Sequence, residues 1–341
     1  MWSKRERIGA VLHGERADRP PISAWRHFPQ FEHDGPAVMA KAMLDFQSRY
    51  DWDFIKVNPR AVYYHEAWGN KYDYDHYNDV VPTLVKKVVN SREDIEKIGE
   101  VSGRNGVFAE QIEAVRLIIE GTKGKVPVFQ TIFTPVGIFM NLCGLRSIGR
   151  YRESPREESV MIQMMNEEPH LVHVALGNIA RTIANYAAGI VEAGADGVFY
   201  AALGMARTGY FTPEEWQEFV KPYDLMVLEE LKKIMTIIHT CGIHSNPEWF
   251  TGFPVNVIHW AENAPGNPSL VSAPLWIKNR IPMGGVDERL FGANKPEEIR
   301  SMAKDTIEKM DDIPFILAPD CSIGLNSSDE EIAAFRSSVE G

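Results

Sequence analysis

Cysteine is scarce in this chain: 341 residues include three, Cys143, Cys241 and Cys321. So odd and sparse a set excludes a disulfide framework and fits a reducing compartment, the cytoplasm. Positive charge is in deficit too, with 36 Lys and Arg against 47 Asp and Glu and a formal net charge of -11. That excludes the basic footprint that nucleic-acid binding needs. It leaves small-molecule chemistry or a partner with a basic face. No apolar run reaches the roughly 18 residues of a membrane span. The opening MWSKRERIGAVLHGERADRPP has no apolar core of signal-peptide length, so export is not expected. A Gly-rich phosphate loop after the first apolar run is missing, which argues against a doubly wound nucleotide-binding sheet. Repeats and low-complexity linkers are absent, so one domain over residues 1–341 is expected.

What the chain does have is a hydrophobic content of 44%, enough for a large core. Short apolar runs alternate with helical patterns. The runs are 21–25, 54–59, 126–133, 196–202, 235–242, 255–260, 280–286 and 315–320. They are apolar throughout, as parallel strands covered on both sides must be. Between them lie helix signals: a capping box from Ser3 to Glu6, another opening at Thr212-Pro213, and starts at Lys295-Pro296 and Ser328. Eight strands alternating with helices predict an α/β fold of the (β/α)8 TIM-barrel type, with an N-terminal helix. Two insertions, the aromatic stretch 60–78 and the stretch 134–166, are candidate covers for the barrel mouth, or packed surface insertions.

Within the fifth run, IIHTCG sets His239 and Cys241 two residues apart. Residues at that spacing share one side of a strand. Active-site groups of such barrels come from the C-terminal ends of strands, so both side chains can reach one point at the mouth. Cys321 directly follows the eighth run, in LAPDCSIG, and Glu262 follows the sixth, in VNVIHWAEN. Cys143 lies in an insertion and has no such placement. An imidazole, two thiolates and a carboxylate are the ligand types of a tetrahedral zinc site.

These motifs, with RERIGAVLHGERADRPP, VEAGADGVFYAALG, FTPEEWQEFVKPY and IPMGGVDE, carry a resemblance over nearly the whole chain. The sequence resembles the uroporphyrinogen decarboxylase superfamily. Within it, the similarity is to the zinc-dependent cobalamin methyltransferases of the methylcobalamin:coenzyme M type. The resemblance implies a zinc site at His239, Cys241 and Cys321, with Glu262 as a fourth ligand before substrate binds. It implies a methyl group moving between a corrinoid, free or on a partner protein and not permanently held, and a small substrate such as a zinc-bound thiol. Where decarboxylases of the superfamily carry an arginine-rich motif and an aspartate, this chain has Arg26 and Asn58. The decarboxylase branch thus fits less well, and metal-free decarboxylation of a tetrapyrrole is the alternative reading.

Further candidates for substrate binding are Arg26, Asn58, Gln130, Tyr200, Arg207, Trp260 and Asp287. Gln130 and Tyr200 read equally as polar filler within strands, and Asp287 as a structural hydrogen-bond partner. Arg207 would suit an anionic tail or simply be solvated. His259 is read as a packed residue facing away from Trp260. A monomer or homodimer is expected.

Overall fold

The computed structural model describes residues 2–144, 150–151, 156 and 159–340. Part of the expected insertion 134–166, namely 145–149, 152–155 and 157–158, lies outside the described residues. Nine strands are described: β1 (Ile55–Val57), β2 (Lys71–Asn78), β3 (Val81–Lys86), β4 (Val128–Phe133), β5 (Gly197–Leu203), β6 (Met235–Thr240), β7 (Val257–Trp260), β8 (Ile281–Val286) and β9 (Ile316–Pro319). Seven of them form one curled parallel sheet in the order β1-β4-β5-β6-β7-β8-β9. Each neighbour follows in chain order, as helical crossovers between parallel strands dictate.

The strands are covered on both sides, and the alternation of side chains separates two apolar clusters. Phe129, Phe199, Ile237, Val257, Met283 and Ile316 meet on the inner side of the curl with Trp25 and Phe54. Val128, Val198, Ile238, Ile258 and Leu317 join the larger cluster on the helix side. The first expected strand is the exception. Residues 21–25 are reduced to a single bridge, Ile22 beside Leu317, flanked by Leu317 N–H donating to Pro21 O at 2.9 Å. On the other flank Asp53 N–H donates to Ile22 O at 2.9 Å. Pro20 and Pro21 bring no amide hydrogen, so a full ladder cannot start there.

The helix signals hold. Ser3 and Glu6 form the capping box of helix Lys4–Leu12, and Thr212 and Ser328 cap theirs in the same way. The buried ions Arg7 and Asp53 (2.7 Å) tie the first helix to the start of β1. The aromatic insertion was legible only as an insertion. It contains the short helix Tyr63–Ala67 and then β2, which pairs antiparallel with β3. Asp79, Val80 and Val81, at the turn, lie over the cavity described below.

Two polar residues expected at the mouth point instead toward the helices. Gln130 donates to the Tyr186 hydroxyl at 2.7 Å, on helix Pro169–Glu192. Tyr200 donates to Asp224 at 2.7 Å, on helix Lys221–Glu230. The cause is phase: both follow an inward phenylalanine, Phe129 or Phe199, by one residue. Burial raises the Asp224 carboxyl to about 8, from an ordinary value of 3.8. The folded protein therefore keeps a proton that the unfolded chain releases. This stability is fully present below about pH 4 and is lost as pH rises through about 8. Asp224→Asn removes that dependence. The melting temperature of the variant is expected to gain on the wild type between pH 5 and pH 8, and thermal melts across that range check it.

Candidate metal centre

The phase that turns Gln130 outward turns His239 and Cys241 inward. Ile237 lies in the inner cluster, and steps of two from it give His239 and then Cys241. Cys321 follows β9. One ligand atom from each of His239, Cys241 and Cys321 lies within 4.8 Å of the others. His239 Nε2 is 3.7 Å from the Cys321 sulfur. His239 and Cys241 are buried, whereas Cys321 is partly exposed and opens to the mouth.

The thiols share one easily lost proton. A hydrogen bond from Cys241 holds Cys321 well below the usual thiol range, helped by Arg150 and His239 beside it. The resulting anion, together with burial, pushes Cys241 well above that range. One thiolate beside one thiol is what a close pair gives without a cation. A divalent ion among the three would stabilise both as thiolates, since coordination deprotonates a thiol. Soft sulfur and imidazole donors, three in number and buried, therefore fit zinc with an open position.

Above the triad is a cavity of about 210 Å³. Its walls include Trp25, Val62, Phe133, Phe199, Leu203 and Ile323, with Lys56, Asn58, His65 and Arg150 as polar groups. Lys56 Nζ lies 4.5 Å from the Phe199 ring centre and donates to Asn58 Oδ1. Burial lowers the Lys56 ammonium to about 7. The Asn58 amide nitrogen is buried without a protein partner, at the wall of the cavity. Burial also lowers His65, to about 3, so its imidazole is neutral.

Glu262 does not join the triad. Its carboxylate accepts from Leu270 N–H at 2.5 Å and lines a separate surface groove with Ser269 and Met302. Trp260 is buried on the helix side, where its indole donates to Pro268 O at 2.8 Å. Asp287 caps the turn Glu288–Leu290 and pairs with Arg289 at 2.6 Å. Arg26 sits over the rings of Phe28 and Phe46, beside a second, small cavity. Arg207 is buried and does not line the cavity above the triad. Of the substrate-binding candidates, Asn58 alone does so.

His259, read as facing away from Trp260, packs inward, while two groups near the triad, Glu288 and Arg150, were missed from the sequence. His259 stacks on His239 with ring centres 4.6 Å apart. Its inward phase, two steps from Val257, was the available signal. Glu288 is buried, accepts from Tyr151 at 2.5 Å and is raised to about 7 by burial and by the Cys321 charge. Arg150 comes from the insertion, and no local pattern marks it. Its carbonyl accepts from Ile243 N–H at 2.8 Å.

That contact explains the glycine ending IIHTCG. Gly242 has φ of +87°, and a Cβ there would lie 2.7 Å from the Arg150 carbonyl oxygen. Gly242→Ala is expected to destabilise the fold by about 1–3 kcal/mol. Gly252→Ala, with open space around it, should change stability by less than ~0.5 kcal/mol. Denaturant titration of both variants checks the difference.

A curled parallel sheet with helices behind it and polar groups gathered beyond its strand ends is the layout of an α/β enzyme. The family model described as "Uroporphyrinogen decarboxylase (URO-D)" matches residues 3–341, and the chain belongs to that family. Among curated relatives, the uroporphyrinogen decarboxylase of Prochlorococcus marinus (strain MIT 9211) is 26% identical over 172 residues, 48% of this chain and 46% of that protein. That of Carboxydothermus hydrogenoformans is 24% identical over 190 residues, 56% of this chain and 46% of its own length. The chain thus matches about half the length of these curated relatives. Among solved structures, a methyltransferase from Methanosarcina mazei superposes with a TM-score of 0.82 at 19% identity, covering 100% of this chain and 99% of that one. A B12-independent methionine synthase from Shewanella sp. W3-18-1 superposes with a TM-score of 0.55 at 14% identity, covering 94% and 92%. Among the described residues, no helix is long and apolar enough to cross a membrane.

Proposed function

We propose that the protein is a zinc-dependent methyltransferase, moving a methyl group between a corrinoid and a small substrate. The observation that carries this reading is the convergence of His239, Cys241 and Cys321 within 4.8 Å. Those three residues would hold the ion. Zinc bound there would keep a substrate thiol as a nucleophilic thiolate at neutral pH.

The rest of the work falls to the chain. Apolar walls surround the approach to the triad, and Lys56 and Asn58 offer donors to a polar group of the substrate. Arg150 sets a positive charge beside two thiolates. A cavity of about 210 Å³ suits a small substrate, with the corrinoid approaching from the mouth on a partner protein or free. The catalytic role of His239, Cys241 and Cys321 is thus indirect, as ligands. Glu262 is left outside the ligand set because its carboxylate is engaged with Leu270. Residues 21–25 are read as the eighth stave of a TIM barrel, a single cytoplasmic domain acting as a monomer or homodimer.

The curated relatives favour a second reading, decarboxylation of a porphyrinogen. A substrate with many carboxylates needs several convergent cations. Here Arg60 is spent on Glu66 and Glu110, at 2.8 and 2.6 Å, and Arg26 lies over aromatic rings elsewhere. That weighs against it.

Metal analysis of protein purified without chelator separates the readings. About one zinc per chain is expected, lost in Cys321→Ala and kept in Cys143→Ala. Methyl transfer from methylcobalamin to a panel of small thiols should disappear with the metal. A wild type that neither contains nor takes up zinc would favour the decarboxylase.

A further inference from the structure

His259 is fully buried, and neither the ligand set nor the cavity wall includes it. Its surroundings are specific. Within the parallel ladder it stands opposite His239 on one side and Met283 on the other. Its ring lies against that of His239, 4.6 Å between centres and 27° from parallel. Trp25 and Phe199 close two further sides, at 5.4 and 5.6 Å. Its Nε2 is 2.9 Å from the carbonyl oxygen of Pro319. A carbonyl only accepts, so Nε2 carries the hydrogen and donates. Pro319 ends β9, two residues before Cys321.

One imidazole therefore touches both halves of the triad. It backs the ring of the ligand on β6, and it fixes the strand end that presents the ligand after β9. No other described hydrogen bond joins β7 directly to the Pro319 carbonyl. An apolar residue would fill the space and keep the inner cluster, but it would leave that carbonyl unpaired in a dry site. Groups that hold metal ligands from behind commonly change affinity by roughly 10–100-fold when removed.

We propose that His259 is a positioning residue for the metal centre, setting the spacing between His239 and Cys321 through its stack and its Nε2–H bond. This rests on the metal reading above. The test uses His259→Phe, which keeps a stacking ring but no donor, and His259→Gln, which places an amide N–H near the position of Nε2. Three quantities are measured: zinc affinity against a competing chelator, the visible spectrum of the cobalt-substituted protein, and the melting temperature without metal.

Zinc affinity is expected to fall about 10-fold or more in the phenylalanine variant, with a shifted cobalt spectrum. The glutamine variant should recover most of both. Unchanged affinity and spectrum in His259→Phe would overturn the proposal. So would equal losses in both variants that merely follow their metal-free melting temperatures, since that marks a purely structural residue. A wild type that binds neither zinc nor cobalt would instead sink the metal reading itself. Wild-type binding with unaffected variants would sink this inference alone.

Discussion

The two-residue period of β6 is the constraint on which the site depends. Ile237, His239 and Cys241 share a face because a strand alternates sides. Which face they share is decided by Ile237, packed with Phe129, Phe199 and Val257 inside the curled sheet. A register slip of one residue would send both ligands among the helices and bring Ile238 inward. Burial of the inner cluster thus sets the side to which His239 and Cys241 point. The pairing of Ala201 with His239, and of His239 with His259, then sets the depth at which the imidazole sits.

The same rule explains what could and could not be read from the sequence. Seven of the eight expected strands were legible, because runs apolar on both faces have few other homes. The eighth, 21–25, carries the right composition but opens on Pro20 and Pro21, and the Ile22 amide is spent on the Asp53 carboxylate. Gln130, Tyr200 and Trp260 have residue types that suit substrate binding, but the wrong phase. Each is adjacent to an inward residue, Phe129, Phe199 or His259, and so points outward. Phase was in the sequence: steps of two from Phe54 and Val257 place Lys56 and His259 inward, and steps of one from Phe129 and Phe199 place Gln130 and Tyr200 outward. Arg150 and Glu288 were not legible by any local rule. Their placement follows from contacts across 138 residues of chain.

Electrostatics gives the cavity its character. The chain as a whole is acidic, yet Lys56 and Arg150 lie in the cavity wall beside the triad. Two acidic side chains close by, Glu288 and Asp320, are buried and raised in pKa. The cavity wall thus carries two basic side chains, Lys56 and Arg150, and one carboxylate, Asp79. Net charge of the chain says little about this, because a field within a dry cavity is set by its first few neighbours.

Two close thiols alone would read as a redox pair, and the argument for a metal needs more than Cys241 and Cys321. His239 supplies it. A disulfide would join the sulfurs and leave a buried imidazole beside them without a partner for either nitrogen. A zinc ion there would be held by all three groups and would supply Lewis-acid chemistry at an open position. The cost of assembling them also bears on the choice. Three polar side chains are gathered in an apolar interior, on strands that must first form for unrelated reasons of packing. Unpaired polar groups in such a place oppose folding, whereas the same groups around a cation do not. Their retention at one point is most simply explained by an ion that they share.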